Sequence, residues 1–147
     1  MSKRNRFKLS LSVFLLLIKD GKVLLIKRSN TGWMDGFYSV PAGALDEGES
    51  VLSAIVREAK EEVGVTVSKK DLYLVHTIHC LNHGEEWVGL FFLSDKWRGE
   101  PKINEPHKHS ELLWTSIKKL PKNLIPYVRQ AIIKTAKQNQ YSEFGWS

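Results

Sequence analysis

The chain has 147 residues, 42% of them apolar and 10% aromatic, which is enough to fill one core, too short for two full domains and too apolar for a disordered segment. Its one cysteine, Cys80, excludes an internal disulfide and a thiolate zinc cluster, so the sequence reads as a single domain over 1–147 from a reducing compartment, with the cytoplasm as the expected location. The formal net charge of +6 favours polyanionic partners, whether nucleotides, nucleic acid or a membrane surface, without deciding between them.

The N-terminus imitates a secretory signal, with Lys3, Arg4, Arg6 and Lys8 ahead of the apolar stretch Leu9 to Ile18. No small-residue cleavage site follows, and the stretch is too short to span a bilayer. Lys19-Asp20-Gly21-Lys22 and a second apolar run, Val23 to Ile26, predict instead two strands joined by a two-residue hairpin turn. Arg28 to Glu49, rich in glycine and punctuated by Pro41, reads as loop, short strand, loop. From Ser50 to Val63 the period becomes helical: Leu52, Ile55, Ala59 and Val63 recur at three- and four-residue steps, Ser50 is placed to cap the start, and Gly64 stops the helix.

Leu72 to Leu81 and Glu86 to Leu93 are two further strands joined by Asn82-His83-Gly84-Glu85. Residues 94–110 read as a long loop, Glu111 to Ile117 as a short strand, and Leu124 to Gln138 as a closing amphipathic helix. The fold class is therefore α/β, a mixed β-sheet packed between helices, and the antiparallel hairpins disfavour a pure Rossmann repeat.

The chemistry concentrates in Arg57-Glu58-Ala59-Lys60-Glu61-Glu62-Val63-Gly64. At about 100° per residue, Glu58, Glu61 and Glu62 fall within an arc of roughly 100° beside the apolar stripe. Glu58 and Glu62, four residues apart, repel one another, and the helix dipole near its C-terminus disfavours anions by roughly 0.3–1 kcal/mol each. Arg57 and Lys60 answer part of that charge, and a solvated acidic face balanced by those two is one reading. The glycine-rich loop supplies the other: Gly43 and Glu49 feed into the same helix, and carboxylates with a backbone carbonyl make a hard-oxygen site suited to Mg²⁺ or Mn²⁺ and to phosphate.

Gly43, five residues, Glu49, seven residues, then Arg57-Glu58-Ala59-Lys60-Glu61-Glu62-Val63-Gly64-Val65 resembles the complete box of the Nudix hydrolase family, with nine specified positions over 23 residues all matched. The resemblance implies the Nudix α/β/α sandwich and a hydrolase of nucleoside diphosphates linked to another group, using Mg²⁺ or Mn²⁺. Glu58, Glu61 and Glu62 would face the metal with the Gly43 carbonyl, Arg57 would orient them, and Glu49 would stand in or next to the ligand set. Trp97-Arg98-Gly99-Glu100-Pro101 followed by Glu105 is similar to the segment that brings a loop glutamate to the metals in MutT-like members, which makes Glu105 the candidate general base; an exposed loop acid is the alternative. The hard acidic site argues against imidazole ligation, and His107 and His109 read as surface loop residues.

For the substrate, Trp33, Phe37, Tyr38, Trp87, Trp114 and Tyr127 are candidate stacking surfaces, of which at most two are expected to touch a base. Asn123, before the last helix, lies where MutT-like enzymes place a base-reading residue. Lys27, Arg28 and Lys102 are placed to steer a polyphosphate. Three departures bear on specificity. Pro41-Ala42-Gly43 replaces the common Pro-Gly-Gly. No proline lies between Pro41 and Pro101, which argues against an ADP-ribose pyrophosphatase. The last helix lacks the tryptophan and paired aspartates of mammalian oxidised-purine relatives, so 8-oxo-guanine specificity is not supported.

The expected activity is hydrolysis of a nucleoside triphosphate to monophosphate and pyrophosphate. Nucleotide sugars or dinucleoside polyphosphates are the alternative substrates. A non-catalytic nucleotide- or nucleic-acid-binding module is disfavoured because three mutually repelling carboxylates are present. No membrane or nucleic-acid partner is expected, and the chain would act as monomer or homodimer.

Overall fold

Strand β1 (Ser10–Lys19) is continuously apolar from Val13 to Ile18, because both faces of that stretch are covered. Val13, Leu15 and Leu17 point into one core with Ile55, Ala59 and Val63 of helix α1 (Val51–Val63); Phe14 and Leu16 point into a second core with Val128, Ala131 and Ile132 of helix α2 (Pro126–Ala136). The structure, a computed structural model, describes residues 5–147, so Lys3 and Arg4 of the basic run lie outside it.

Between the helices lies one mixed sheet of eight strands. The others are β2 (Lys22–Arg28), β3 (Tyr38–Ser39), β4 (Ala42–Ala44), β5 (Tyr73–Asn82), β6 (Glu85–Ser94), β7 (His109–Ser116) and β8 (Tyr141–Phe144). Their order is β3-β2-β1-β6-β5-β8, with β4 on β1 and β7 on β2. Strand β1 runs parallel to β6 from Ser10↔Trp87 to Leu17↔Ser94, and antiparallel to β4 through Ser12↔Ala44, Val13↔Gly43 and Phe14↔Ala42. The latter pairing lays Gly43 across the sheet beneath α1.

The expected elements are present, and the hairpin turns follow their chemistry: Asp20-Gly21 and His83-Gly84 adopt positive φ at both central positions, as tight two-residue hairpins require. Ser50 caps α1 by accepting from the Ser53 N–H, and Gly64 ends it at φ 71°. Helix α2 begins at Pro126, two residues later than the apolar period suggests. Proline favours the first helical position and holds the residue before it extended, so Leu124 and Ile125 are buried ahead of the helix. Strand β8 has no counterpart in the sequence reading; it pairs in parallel with β5 from Thr77↔Tyr141 to Cys80↔Phe144, and the buried His76 ring contacts the Asn139 carbonyl and the Ser142 hydroxyl, both at 2.8 Å.

His109 corrects the sequence reading. It is the first residue of β7, paired with Arg28, and is buried with its Nδ1 unpartnered among the described residues. The surrounding polar window hides a strand start. Burial first, then the nearby charges of Arg28 and Lys108, push its pKa down to about 4. Since an unfolded histidine titrates near 6.5, the unfolded state binds the extra proton between about pH 6.5 and 4, and stability is lost as pH falls through that window. Urea unfolding of the wild type should lose up to about 3 kcal/mol between pH 7 and 4 relative to His109→Gln; equal pH slopes for the two proteins would show that His109 is not held neutral.

Candidate active site

Glu49 ends the loop that enters α1, and Arg57 lies two turns further on the same side of the helix. The Arg57 guanidinium grips Glu49 with two parallel hydrogen bonds, Nε to Oε2 at 2.7 Å and Nη2 to Oε1 at 3.0 Å. Its Nη1 donates to Glu58 Oε1 at 2.7 Å and to Glu61 Oε2 at 3.4 Å, and Asp46 Oδ2 stands 3.5 Å from Nη2. One planar cation thus organises four acids, which a lysine could not do from a single point charge. The hydrogen bonds from Arg57 hold Glu49 below the usual carboxylate range, and those from Glu49 hold the guanidinium above its ordinary value. Asp46 was not singled out in the sequence, since nothing in its spacing separates it from the other loop acids.

Glu58 is buried against the backbone of β4, where a Cβ on Gly43 would collide with its carboxylate. Glu62 accepts from the Ala42 N–H at 3.1 Å. Burial pushes both carboxyls above the usual carboxylate range, and the closeness of Glu58 adds to the rise at Glu62. Glu61 stays half exposed at the rim. Glu105, in the irregular segment between β6 and β7, is close enough for its charge to raise Glu62 further, and the Lys108 ammonium lies 3.8 Å from it. The structure therefore gathers Gly43, Glu49, Arg57, Glu58, Glu61, Glu62 and Glu105.

This donor set fits a divalent cation. The oxygens are hard, the bare Gly43 lets the Glu58 carboxylate lie against the backbone of β4, and Glu58 and Glu62 are held close together where a cation would balance their charge. Among the described residues, no three histidine, cysteine or acidic side chains form a ready-made cage. A small, hard ion such as Mg²⁺ needs only part of its shell from protein.

From Gly43 a groove runs past Ser12, Phe14, Arg28 and Trp33 into a cleft of about 610 Å³ that ends at Asn82, Glu85 and Trp87. Arg28 is fixed in that groove: its guanidinium lies 4.9 Å from the Trp33 ring, and Nε donates to the Trp33 carbonyl. Trp33 is exposed and Trp87 half-buried, while Tyr127 is buried at the floor. Phe37 packs against the α2-side core, and Trp114 stacks with Trp97 at 6.1 Å away from the cleft.

The structure does not bring Tyr38 or Asn123 into the cleft lining. Tyr38 is buried and its hydroxyl donates to Glu111 at 2.7 Å. Asn123 donates its side-chain N–H to the Gly36 carbonyl at 2.8 Å, closing the Trp33 loop.

This sheet between two helices, with an acidic helix ridge against a glycine, is the architecture of a phosphoric-anhydride hydrolase, and comparison with known proteins agrees. The NUDIX domain family model matches residues 7–135. The ADP-ribose pyrophosphatase of Methanocaldococcus jannaschii is 33% identical over 119 residues, 81% of this chain and 68% of that one. The 8-oxo-dGTP diphosphatase of Escherichia coli is 26% identical over 89% of this chain and 98% of its own. The crystal structure of a MutT NUDIX hydrolase from Burkholderia pseudomallei superposes with a TM-score of 0.79 at 29% identity, covering 86% of this chain and 98% of that one. The chain belongs to the Nudix family and is a Nudix hydrolase.

Gly43→Ala tests the close approach directly. The added methyl must displace the Glu58 carboxylate, so hydrolysis should fall about a hundredfold while the far-UV spectrum stays native. Wild-type rates in this variant would show that the Gly43–Glu58 contact is dispensable.

Proposed function

We propose that the chain hydrolyses a nucleoside triphosphate to the monophosphate and pyrophosphate with Mg²⁺ or Mn²⁺. The observation that carries this reading is the continuity of the site: the acidic ridge opens at Gly43 into a groove flanked by the Arg28 cation, which leads to a cleft edged by two accessible tryptophans. A triphosphate joined to a flat base matches that sequence of surfaces, charge at one end and stacking at the other.

The Gly43 carbonyl with Glu58, Glu61 and Glu62 would hold the metal. When bound, the ion supplies charge neutralisation on the phosphates and a more acidic water. Arg57 keeps Glu49, Glu58 and Glu61 aligned through its forked hydrogen bonds. Glu105 accepts the proton of the attacking water as its oxygen bonds to phosphorus and the bridging P–O bond breaks toward the leaving phosphate. Arg28, with Trp33 over it, screens the polyphosphate as it enters, and Trp33 and Trp87 offer faces to the base.

A nucleoside diphosphate linked to a sugar is the second reading. It is favoured by the relative from Methanocaldococcus jannaschii named an ADP-ribose pyrophosphatase, and opposed by the missing proline after the box.

A panel of ribo- and deoxynucleoside triphosphates, sugar nucleotides and ADP-ribose at fixed Mg²⁺, with products separated, decides between them. Pyrophosphate from a triphosphate at the highest kcat/KM is the expected result, and preferential release of a sugar phosphate would overturn it. Glu61→Gln and Glu62→Gln should each lower turnover by about 10² or more with the fold retained. Turnover surviving both changes would remove the metal-site assignment.

A further inference from the structure

The last turn of an α-helix leaves carbonyls without an intrahelical donor, and at the end of α1, where the Gly64 N–H still reaches the Lys60 carbonyl at 3.1 Å, these include the carbonyls of Glu61, Glu62 and Val63. The segment between β6 and β7 crosses over and satisfies them. The Lys102 N–H donates to the Val63 carbonyl at 3.0 Å and the Asn104 N–H to the Glu62 carbonyl at 3.2 Å. The Asn104 side-chain amide donates to the Glu61 carbonyl at 3.0 Å and the Lys60 carbonyl at 3.2 Å. Asn104 makes three of these four contacts while its own side chain is exposed. Hydrogen bonding, not burial, keeps it there.

The side-chain type matters. An amide presents two N–H donors from one planar group, enough to reach two carbonyls of adjacent residues. Lysine would bring a full positive charge beside the acidic ridge, and aspartate would turn lone pairs toward carbonyls that need donors.

The next residue is Glu105. Its carbonyl accepts from the Lys108 N–H at 2.9 Å and the His109 N–H at 3.0 Å, in the turn that enters β7. Glu105 is therefore fixed on both sides, to the end of α1 through Asn104 and to the start of β7 through its own carbonyl.

We infer that Asn104 is a positioning residue: its amide clamp on the Lys60 and Glu61 carbonyls holds the Glu105 carboxylate in register with the Glu61–Glu62 ridge. The inference rests on Glu105 being the general base. Because Asn104 reaches the carbonyls of Glu61, through its amide, and Glu62, through its N–H, base and ridge share one frame, and loosening the amide lets Glu105 drift while the ridge stays with the helix.

A double-mutant cycle tests this, with kcat and KM measured at fixed Mg²⁺ on whichever of GTP, ATP, CTP, UTP and ADP-ribose turns over fastest, and melting temperature measured alongside. Asn104→Ala should lower kcat about 10- to 100-fold with KM changed less than about twofold, the cost of misplacing a reacting group. Asn104→Asp, the same shape without the donors, should fall at least as far. In the Glu105→Gln background, itself slower by about 10² or more, Asn104→Ala should lower kcat no further, although the loss of melting temperature is the same in both backgrounds. A purely structural role would instead lower kcat by the same factor in both. That additive result, or wild-type kcat in Asn104→Asp, overturns the inference and leaves Glu105 as the base. Wild-type kcat in Glu105→Gln, or no turnover of any of the five substrates, overturns the reading of Glu105 and the inference with it.

Discussion

The site depends on bringing several carboxylates together where water cannot fully screen them. Burying Glu58 and Glu62 side by side near a helix C-terminus is unfavourable on three counts: desolvation, mutual repulsion and the helix dipole. The structure offsets part of this locally. Arg57 donates to Glu58, the Ala42 N–H donates to Glu62, and burial raises the pKa of both acids, which lessens the charge that must be accommodated. The close fit exists only because position 43 has no side chain, and position 43 is held by the antiparallel pairing of β4 with β1. A stiff, doubly covered β1 is thus the support on which the acidic ridge rests.

That dependence explains the two-sided core. A strand with one wet face would alternate apolar and polar residues, but the central runs of β1 and β2, Val13 to Ile18 and Val23 to Ile26, are unbroken apolar because α1 covers one side and α2 the other. The helix that bears the carboxylates contributes only a narrow buried stripe, Ala54, Ile55, Ala59 and Val63, with Glu58 at its margin. Small residues at 54 and 59 let α1 sit low on the sheet, and this is what brings Glu58 down to the backbone of Gly43.

The ridge was legible in the sequence because its geometry is local. Gly43, Glu49, Arg57, Glu58, Glu61 and Glu62 lie within one loop and one helix, where helical period and box spacing fix who faces whom. The caps at Ser50 and Gly64 were legible for the same reason. What escaped is non-local. The clamp from Asn104 to α1 spans more than forty residues and joins an irregular segment to a helix end, so no period announces it. His109 reads as a loop residue until β7 pairs with β2, and β8 is too short for alternation to show. The cleft is assembled from β1, the Trp33 loop, the β5–β6 hairpin and α2, so residue type alone did not separate Trp33 and Trp87, which border it, from Trp114, which packs elsewhere. Asn123 was the reverse case: its position before α2 suggested base reading, whereas its amide holds the Gly36 carbonyl of the loop that carries Trp33.

Charge is arranged on two length scales that oppose one another. The chain as a whole is basic, with 22 lysines and arginines against 16 aspartates and glutamates, so its far field attracts a polyphosphate. At close range the ridge is acidic and repels the same group. A bare anion would be drawn to the molecule and then turned away from Glu58, Glu61 and Glu62, whereas a phosphate accompanied by a divalent cation meets complementary charge at both distances. Among the described residues, Arg57 is the cation paired with the ridge and is fully engaged by acids, and Arg28 stands apart in the groove beneath Trp33. Neither arginine competes for the space between the carboxylates, which leaves the counter-charge there to a small ion, in keeping with the use of divalent metals across the Nudix family.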